Sequence, residues 1–187
     1  MTFLPPNTEI PASEGNYLKL AEGENRFRVL GSAIVGFELW IDGKPVRKKL
    51  RDEFTSEELS KADINKFTGM KRLPTYFWAF PVYNYQNEKI QIFQVTQKTI
   101  LRGIDDYLND PDYGKNPTEY DLTVIKDESK DKVEYRVKAK PPKEMDEGIV
   151  AMYEAMNIKL DALYSGGDPF NSEEVNPDDI PDDMNSK

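Results

Sequence analysis

A chain of 187 residues, 38% hydrophobic and 32% charged, is sized for one domain with extensions. Its 34 acids against 25 bases leave a net charge of −9, and it contains neither cysteine nor histidine. Disulfides, thiol nucleophiles, Cys- or His-ligated metals and every Ser-His-Asp triad are thereby excluded.

Residues 1–16, with Pro5, Pro6, Pro11 and Gly15, read as a flexible arm ahead of a core over 17–144. From Asn25 the pattern has period two. Phe27, Val29, Gly31, Ala33, Val35, Phe37, Leu39 and Ile41 fall on one face, and Arg26, Arg28, Leu30, Ser32, Ile34, Gly36, Glu38 and Trp40 on the other. This predicts one long strand, or two joined at Gly31 or Gly36, where glycine permits a bulge. Asp42-Gly43 predicts a hairpin turn, and Lys44, Arg47, Lys48, Lys49 and Arg51 follow within eight residues.

The stretch TSEELSKADINKF (55–67) predicts a short helical insert, with Thr55 as cap and Glu58 completing a capping box. Lys71 and Arg72 lie in the loop beyond it. Residues 75–85 (TYFWAFPVYNY) predict a strand dense in aromatics, and Pro81 within it argues for an edge or a bulge. Gln86-Asn87-Glu88 turns into a partner strand over 89–96. Residues 97–108 predict a helix with Ile100, Leu101, Ile104, Tyr107 and Leu108 on one side.

A second hairpin is expected from 120–126 and 132–140. In its second strand Val133, Tyr135, Val137 and Ala139 point inward and Lys132, Glu134, Arg136, Lys138 and Lys140 outward. Pro141-Pro142 stops it, and 145–166 reads as a C-terminal helix packing through Ile149, Met152, Tyr153, Met156, Leu160 and Leu163. Five β segments with a helix inserted suggest a mainly β fold: an OB-fold, the five-stranded Greek-key barrel, or a generic α+β sandwich. No apolar run approaches a membrane span, so a soluble intracellular protein is expected.

The charge is partitioned. Residues 168–187 hold Asp168, Glu173, Glu174, Asp178, Asp179, Asp182 and Asp183 against Lys187 alone, whereas residues 25–140 hold 21 bases and 18 acids. The end, 167–187, therefore reads as a disordered acidic tail on a mildly basic core. Asp105, Asp106, Asp110 and Asp112 lie close in sequence but read as a solvated helix end, and no glycine-rich phosphate loop is present.

Aromatic side chains framed by lysine and arginine suit single-stranded nucleic acid, because bases stack on rings while cations follow the phosphates. Trp40 shares a strand face with Arg26 and Arg28, the 132–140 strand is basic outside, and the strand over 75–85 carries more rings than one core needs. An anionic tail beside such a surface would compete with nucleic acid and serve partner proteins once displaced.

The blocks NYLKLAEGENRFRVLGSAIVGFELW (16–40), GKPVR (43–47), FWAFPVYNY (77–85), QIFQVTQKTI (91–100), PDYGKNPTEYDLTV (111–124), VEYRV (133–137) and IKLDALYSGGDPF (158–170) resemble, in this order, the single-stranded DNA-binding proteins of tailed bacteriophages. The resemblance implies an OB-fold that coats single strands in phage replication, recombination or repair, in the cytoplasm of the infected host, with an acidic C-terminus for replication proteins. Arg28, Trp40, Lys44, Arg47, Trp78, Tyr83 and Tyr85 stand in the matching blocks as expected DNA contacts. The residues themselves add Arg26, Lys48, Lys49, Lys71, Arg72, Arg136 and Lys138, while Phe77 and Phe80 fit the core equally well. Some related phage proteins hold zinc between early strands; here 47–74 lacks Cys and His, so neither metal nor cofactor is expected. The tail stretch PDDIPDDM, with Asp178, Asp179, Ile180, Asp182 and Asp183, resembles the acidic tip of bacterial single-strand binding proteins without its closing phenylalanine. The reading is a non-enzymatic single-strand binder. The alternatives are a protein-interaction module or acidic DNA-mimic inhibitor and, behind these, a metal-dependent nuclease.

Overall fold

A computed structural model describes residues 15–170. The acidic tail residues Asp178, Asp179, Ile180, Asp182 and Asp183 lie outside the described residues, as does nearly all of the N-terminal arm. The chain is mainly β: seven antiparallel strands in the order β3-β2-β4-β1-β6-β7, with β5 on β4.

The period-two stretch yields β1 (Gly23–Val29) and β2 (Ile34–Ile41). Both pair with one edge of β4 (Thr75–Asn84): Val29 lies opposite Val82, and Ile34 opposite Ala79. The two strands are thus one path broken at 30–33. Gly31 belongs at the break because a Cβ there would overlap the Tyr153 hydroxyl and press on Pro81.

Pro81 is not at an edge. It sits in the centre of a strand with neighbours on both sides, at the point where the β1–β2 path breaks. No N–H is required of it there, and its carbonyl accepts from the Leu30 amide at 2.9 Å.

Asp42 and Gly43 both have positive φ (52° and 70°), as a two-residue hairpin requires, and lead into β3 (Lys44–Lys48). β4 returns as β5 (Lys89–Val95), whose far edge takes Asn16 and Leu18 through the Ile92 amide and carbonyl. Helix α2 (Lys98–Leu108) then crosses to β6 (Asp121–Asp127), which pairs with β1 and with β7 (Glu134–Ala139). Gly103 lets α2 lie directly on Val137.

Between the sheet and α2 lies the main core: Phe27, Val29, Phe80, Val82, Phe93, Val95, Ile100, Ile104, Tyr120, Leu122 and Val124. The Phe27 and Phe80 rings meet Phe93 edge-on at 5.2 and 5.6 Å.

Two helical expectations are corrected. The insert forms only α1 (Ser56–Ser60), with the Thr55–Glu58 capping box in place. Ala62 then pairs with Ile41, and Asp63 donates its amide to the Trp40 carbonyl at 2.8 Å, so tertiary pairing replaces the remaining helical turns. At the other end, α3 (Glu147–Met156) stops at Asn157, which is left-handed (φ 47°), a conformation asparagine tolerates. A 3-10 turn over Leu160–Ser165 follows. Of the expected packing residues, Leu163 is buried whereas α3 itself buries none. Among the described residues, no helix is long and apolar enough to cross a membrane.

Candidate nucleic-acid interface

Opposite the main core, the ladders align one outer face. Arg28 lies across from Tyr83 and Asp121, Arg26 from Thr123, Thr123 from Lys138, and Ile125 from Arg136. On β4 the same parity carries Phe77 and Ala79, opposite Gly36 and Ile34, and it continues along β2 to Glu38 and Trp40. The alternation that placed Trp40 with Arg26 and Arg28 therefore survives the break at 30–33.

What covers this face divides it. Its middle forms a second small core, in which Phe77, Ala79 and Ile92 are buried beneath Leu163, with Ile158, Leu160, Tyr164 and Phe170 around it. The Tyr164 hydroxyl donates to the Val35 carbonyl at 2.5 Å. Gly36 makes room for that ring, since a Cβ there would overlap the Lys48 carbonyl and press on Tyr164. Phe77 and Phe80 are both buried, so of their two readings the structure takes the core.

At one end of the face stands a polar network centred on Asp121, which is buried. Its Oδ1 accepts from Arg28 Nε at 2.6 Å and from the Tyr85 hydroxyl at 2.9 Å, and its Oδ2 from Arg26 Nε at 2.9 Å. Burial alone would push the Asp121 carboxyl up, but the hydrogen bonds from Arg26, Arg28 and Tyr85 outweigh it and hold the group below its ordinary value. Burial raises the Tyr85 hydroxyl, and its bond to Asp121 raises it further.

Arg28 is corrected here. Only 2% of its side chain is exposed, and its Nη1 donates to the Thr118 and Lys143 carbonyls at 3.1 and 2.9 Å. It is an internal clamp rather than a DNA contact. Arg26 keeps 40% of its side chain exposed and lies over the Tyr85 ring at 4.3 Å. Tyr83 meets Tyr85 edge-on at 5.1 Å, and Arg136 and Lys138 are exposed beside this group on β7.

At the other end is a cleft of about 340 Å³ lined by Glu38, Trp40, Met70, Lys71, Arg72 and Thr75, among others. Glu38 is its one carboxylate, and it is committed. Glu38 accepts from Trp40 Nε1 and Arg47 Nε, each at 3.0 Å, and from Gln94 Nε2 at 2.5 Å. Trp40 is held in place by this bond, and the Gln94 Oε1 atom is buried without a hydrogen-bond partner. Lys71 donates through Nζ to the Ser60 carbonyl, and Arg72 is exposed on the rim.

Two more of the expected contacts are engaged within the protein. Arg47, only 11% exposed, serves Glu38. Lys48 bonds Glu58 at 2.7 Å and the Glu53 carbonyl at 2.9 Å, tying α1 to β3; this bond is the main reason the Glu58 carboxyl is lowered. Lys44 and Lys49 are exposed and make no ion pair among the described residues, with Lys49 over the Tyr164 ring at 5.3 Å. Trp78 packs against the main core and donates through Nε1 to the Tyr76 hydroxyl at 3.1 Å.

Sequence reasoning missed Asp121 and Glu38, the two acids that decide which arginines are available. Both stand at alternating strand positions, and that is the only signal either gives. A larger cleft of about 610 Å³ beside α3 carries Glu119, Glu144 and Glu147 against Lys143, the wrong sign for phosphate. Among the described residues, no group of three or more Asp or Glu side chains is placed to hold a metal ion. No protein-family model matches the chain, and comparison with curated proteins and with solved structures returns no match.

Proposed function

We propose that this protein binds single-stranded DNA without sequence preference, through stacking on aromatic side chains and neutralisation of phosphates. The observation that carries the reading is the cleft in which Trp40 meets Lys71 and Arg72 while its one carboxylate is already matched by Arg47. The Tyr83–Tyr85 pair with Arg26, Arg136 and Lys138 supports it from the far end of the same sheet face.

The chain path favours an OB-type barrel. The β1–β2 path pairs with both β4 and β6, β4 and β5 form a hairpin, α2 follows, and β6 and β7 close the series. That is the order of five strands with a helix after the third, with β3, α1 and the loop to residue 74 as an insert between the first two. The resemblance to phage proteins supports a setting in phage replication, recombination or repair inside the host. The acidic tail then competes for the basic surface and engages partner proteins. Such binding requires no catalytic group, metal or cofactor. A protein-interaction module is the second reading, favoured by α3, on which Val150 and Met152 stay 37% and 51% exposed.

Titration with an oligo(dT) of about 25 bases, several times the span of one OB-fold, tests the proposal through the fluorescence of the two tryptophans. Quenching that weakens steeply as salt rises is the expected result. Absence of binding at low salt would falsify it, and cleavage of the oligomer with magnesium would return the nuclease reading.

A further inference from the structure

The insert carries a feature that the cleft does not explain. Beyond α1, residues 62–72 form a narrow hairpin finger. At its base Ala62 pairs with Ile41, Asp63 donates its amide to the Trp40 carbonyl at 2.8 Å, and Arg72 donates its amide to the Asp63 carbonyl at 2.8 Å. Ile64 and Lys71 bridge its middle. At the tip the Asn65 side chain accepts from the Phe67 amide at 2.9 Å, while the Asn65 amide and carbonyl meet Met70 and Gly69, each at 2.8 Å. The backbone is therefore fixed from base to tip.

On that fixed tip Phe67 is 100% exposed, and Met70 beside it is 66% exposed. A fully solvated phenylalanine on hydrogen-bonded backbone forgoes the burial that normally places this residue inside. The exposed charges that the finger itself carries have one sign. Lys66, Lys71 and Arg72 are exposed on the finger, and its one acid, Asp63, turns its carboxylate onto the Gly43 amide at 2.9 Å. An apolar ring at the tip of a finger whose exposed charges are cations is complementary to a polyanion carrying flat apolar groups, and it opposes a basic or purely apolar partner.

The geometry points to the 62–72 finger as a base-stacking element: Phe67 packs on an unpaired base of a strand whose neighbouring phosphates meet Lys66, Lys71 and Arg72, at the mouth of the Trp40 cleft. This rests on the single-strand reading above and adds to it a contact that neither composition nor the phage resemblance marks.

The test uses the full chain, the variants Phe67→Ala and Phe67→Trp, and two probes: oligo(dT) of about 25 bases and an abasic oligomer of equal length, which has the phosphates but no rings. Loss of one stacked base, at about 1–3 kcal/mol, weakens oligo(dT) binding by Phe67→Ala roughly 5- to 140-fold and leaves abasic binding unchanged. Phe67→Trp keeps the affinity, and its added emission is quenched. Since Phe67 buries nothing, unfolding does not explain a loss, and a circular dichroism melt checks this. Unchanged oligo(dT) affinity in Phe67→Ala, or an equal loss on both probes, overturns the finger while the binding reading stands. A wild-type chain that binds neither probe overturns both.

Discussion

Asp121 decides how two arginines behave. It shares its oxygens among Arg26, Arg28 and Tyr85, and the two cations it serves are exposed to very different degrees. Removing Arg28 leaves a buried carboxylate short of one partner and strands the Thr118 and Lys143 carbonyls. Arg28→Ala is expected to cost about 3–5 kcal/mol, against about 1 kcal/mol or less for the exposed Arg26→Ala, as read from urea unfolding midpoints. The pH dependence follows with a definite sign. The carboxyl is held below its unfolded value of about 3.9, so its contribution is complete above that value and fades as pH falls through the depressed one. Asp121→Asn should flatten that acid limb of stability. None of this was legible in the sequence. Arg28 and Asp121 are 93 residues apart, and an arginine on an outward strand position looks the same whether or not a carboxylate waits opposite.

At the scale of elements, glycines mark the tightest contacts. Gly103 brings α2 onto β7, and a Cβ there would overlap the Cβ and one methyl of Val137. Gly103→Ala is therefore expected to cost about 1–3 kcal/mol and to lower the melting temperature by about 2–4 °C for each kcal/mol, despite alanine's better helix propensity. α2 and β7 were legible because period 3.6 and period two survive in their burial, β5 and β6 read as short apolar runs buried on both faces, and Asp42-Gly43 announced its hairpin. The two helices that ended early were not. In 55–67 the apolar spacing of Leu59, Ile64 and Phe67 imitates a helix face, yet these three side chains are 38%, 52% and 100% exposed. The backbone instead follows the hydrogen bonds offered by β2. In 145–166 the spacing does record burial, half-burying Ile149, Tyr153 and Met156 on α3, but full burial comes only beyond Asn157, at Leu163, where Leu160 and Leu163 pack against β4 and β5.

For the whole molecule, a net charge of −9 misstates the surface proposed to meet DNA, because residues 25–140 carry 21 bases against 18 acids while 168–187 carry seven acids against one lysine. Deleting 171–187 removes six acids and one lysine. That truncation is expected to tighten binding to oligo(dT) at low salt, with the advantage shrinking as salt rises, because exposed charges are screened beyond about 8–10 Å at physiological ionic strength. Equal affinity of the two chains in low-salt titrations would show that the tail does not compete.

The 158–170 segment, seated on the middle of the outer face, also bears on valency. It keeps the tyrosine pair near Arg26 apart from the Trp40 cleft, so on the proposed single-strand reading a polymer would meet two anchor points instead of one continuous groove. An oligomer too short to pass around the segment holds one anchor and binds with the affinity of that anchor alone. Once it is long enough, capture of the second end becomes intramolecular, and affinity rises with effective concentration rather than with new contacts. Binding by this protein should therefore climb in a step with strand length, not in proportion to it.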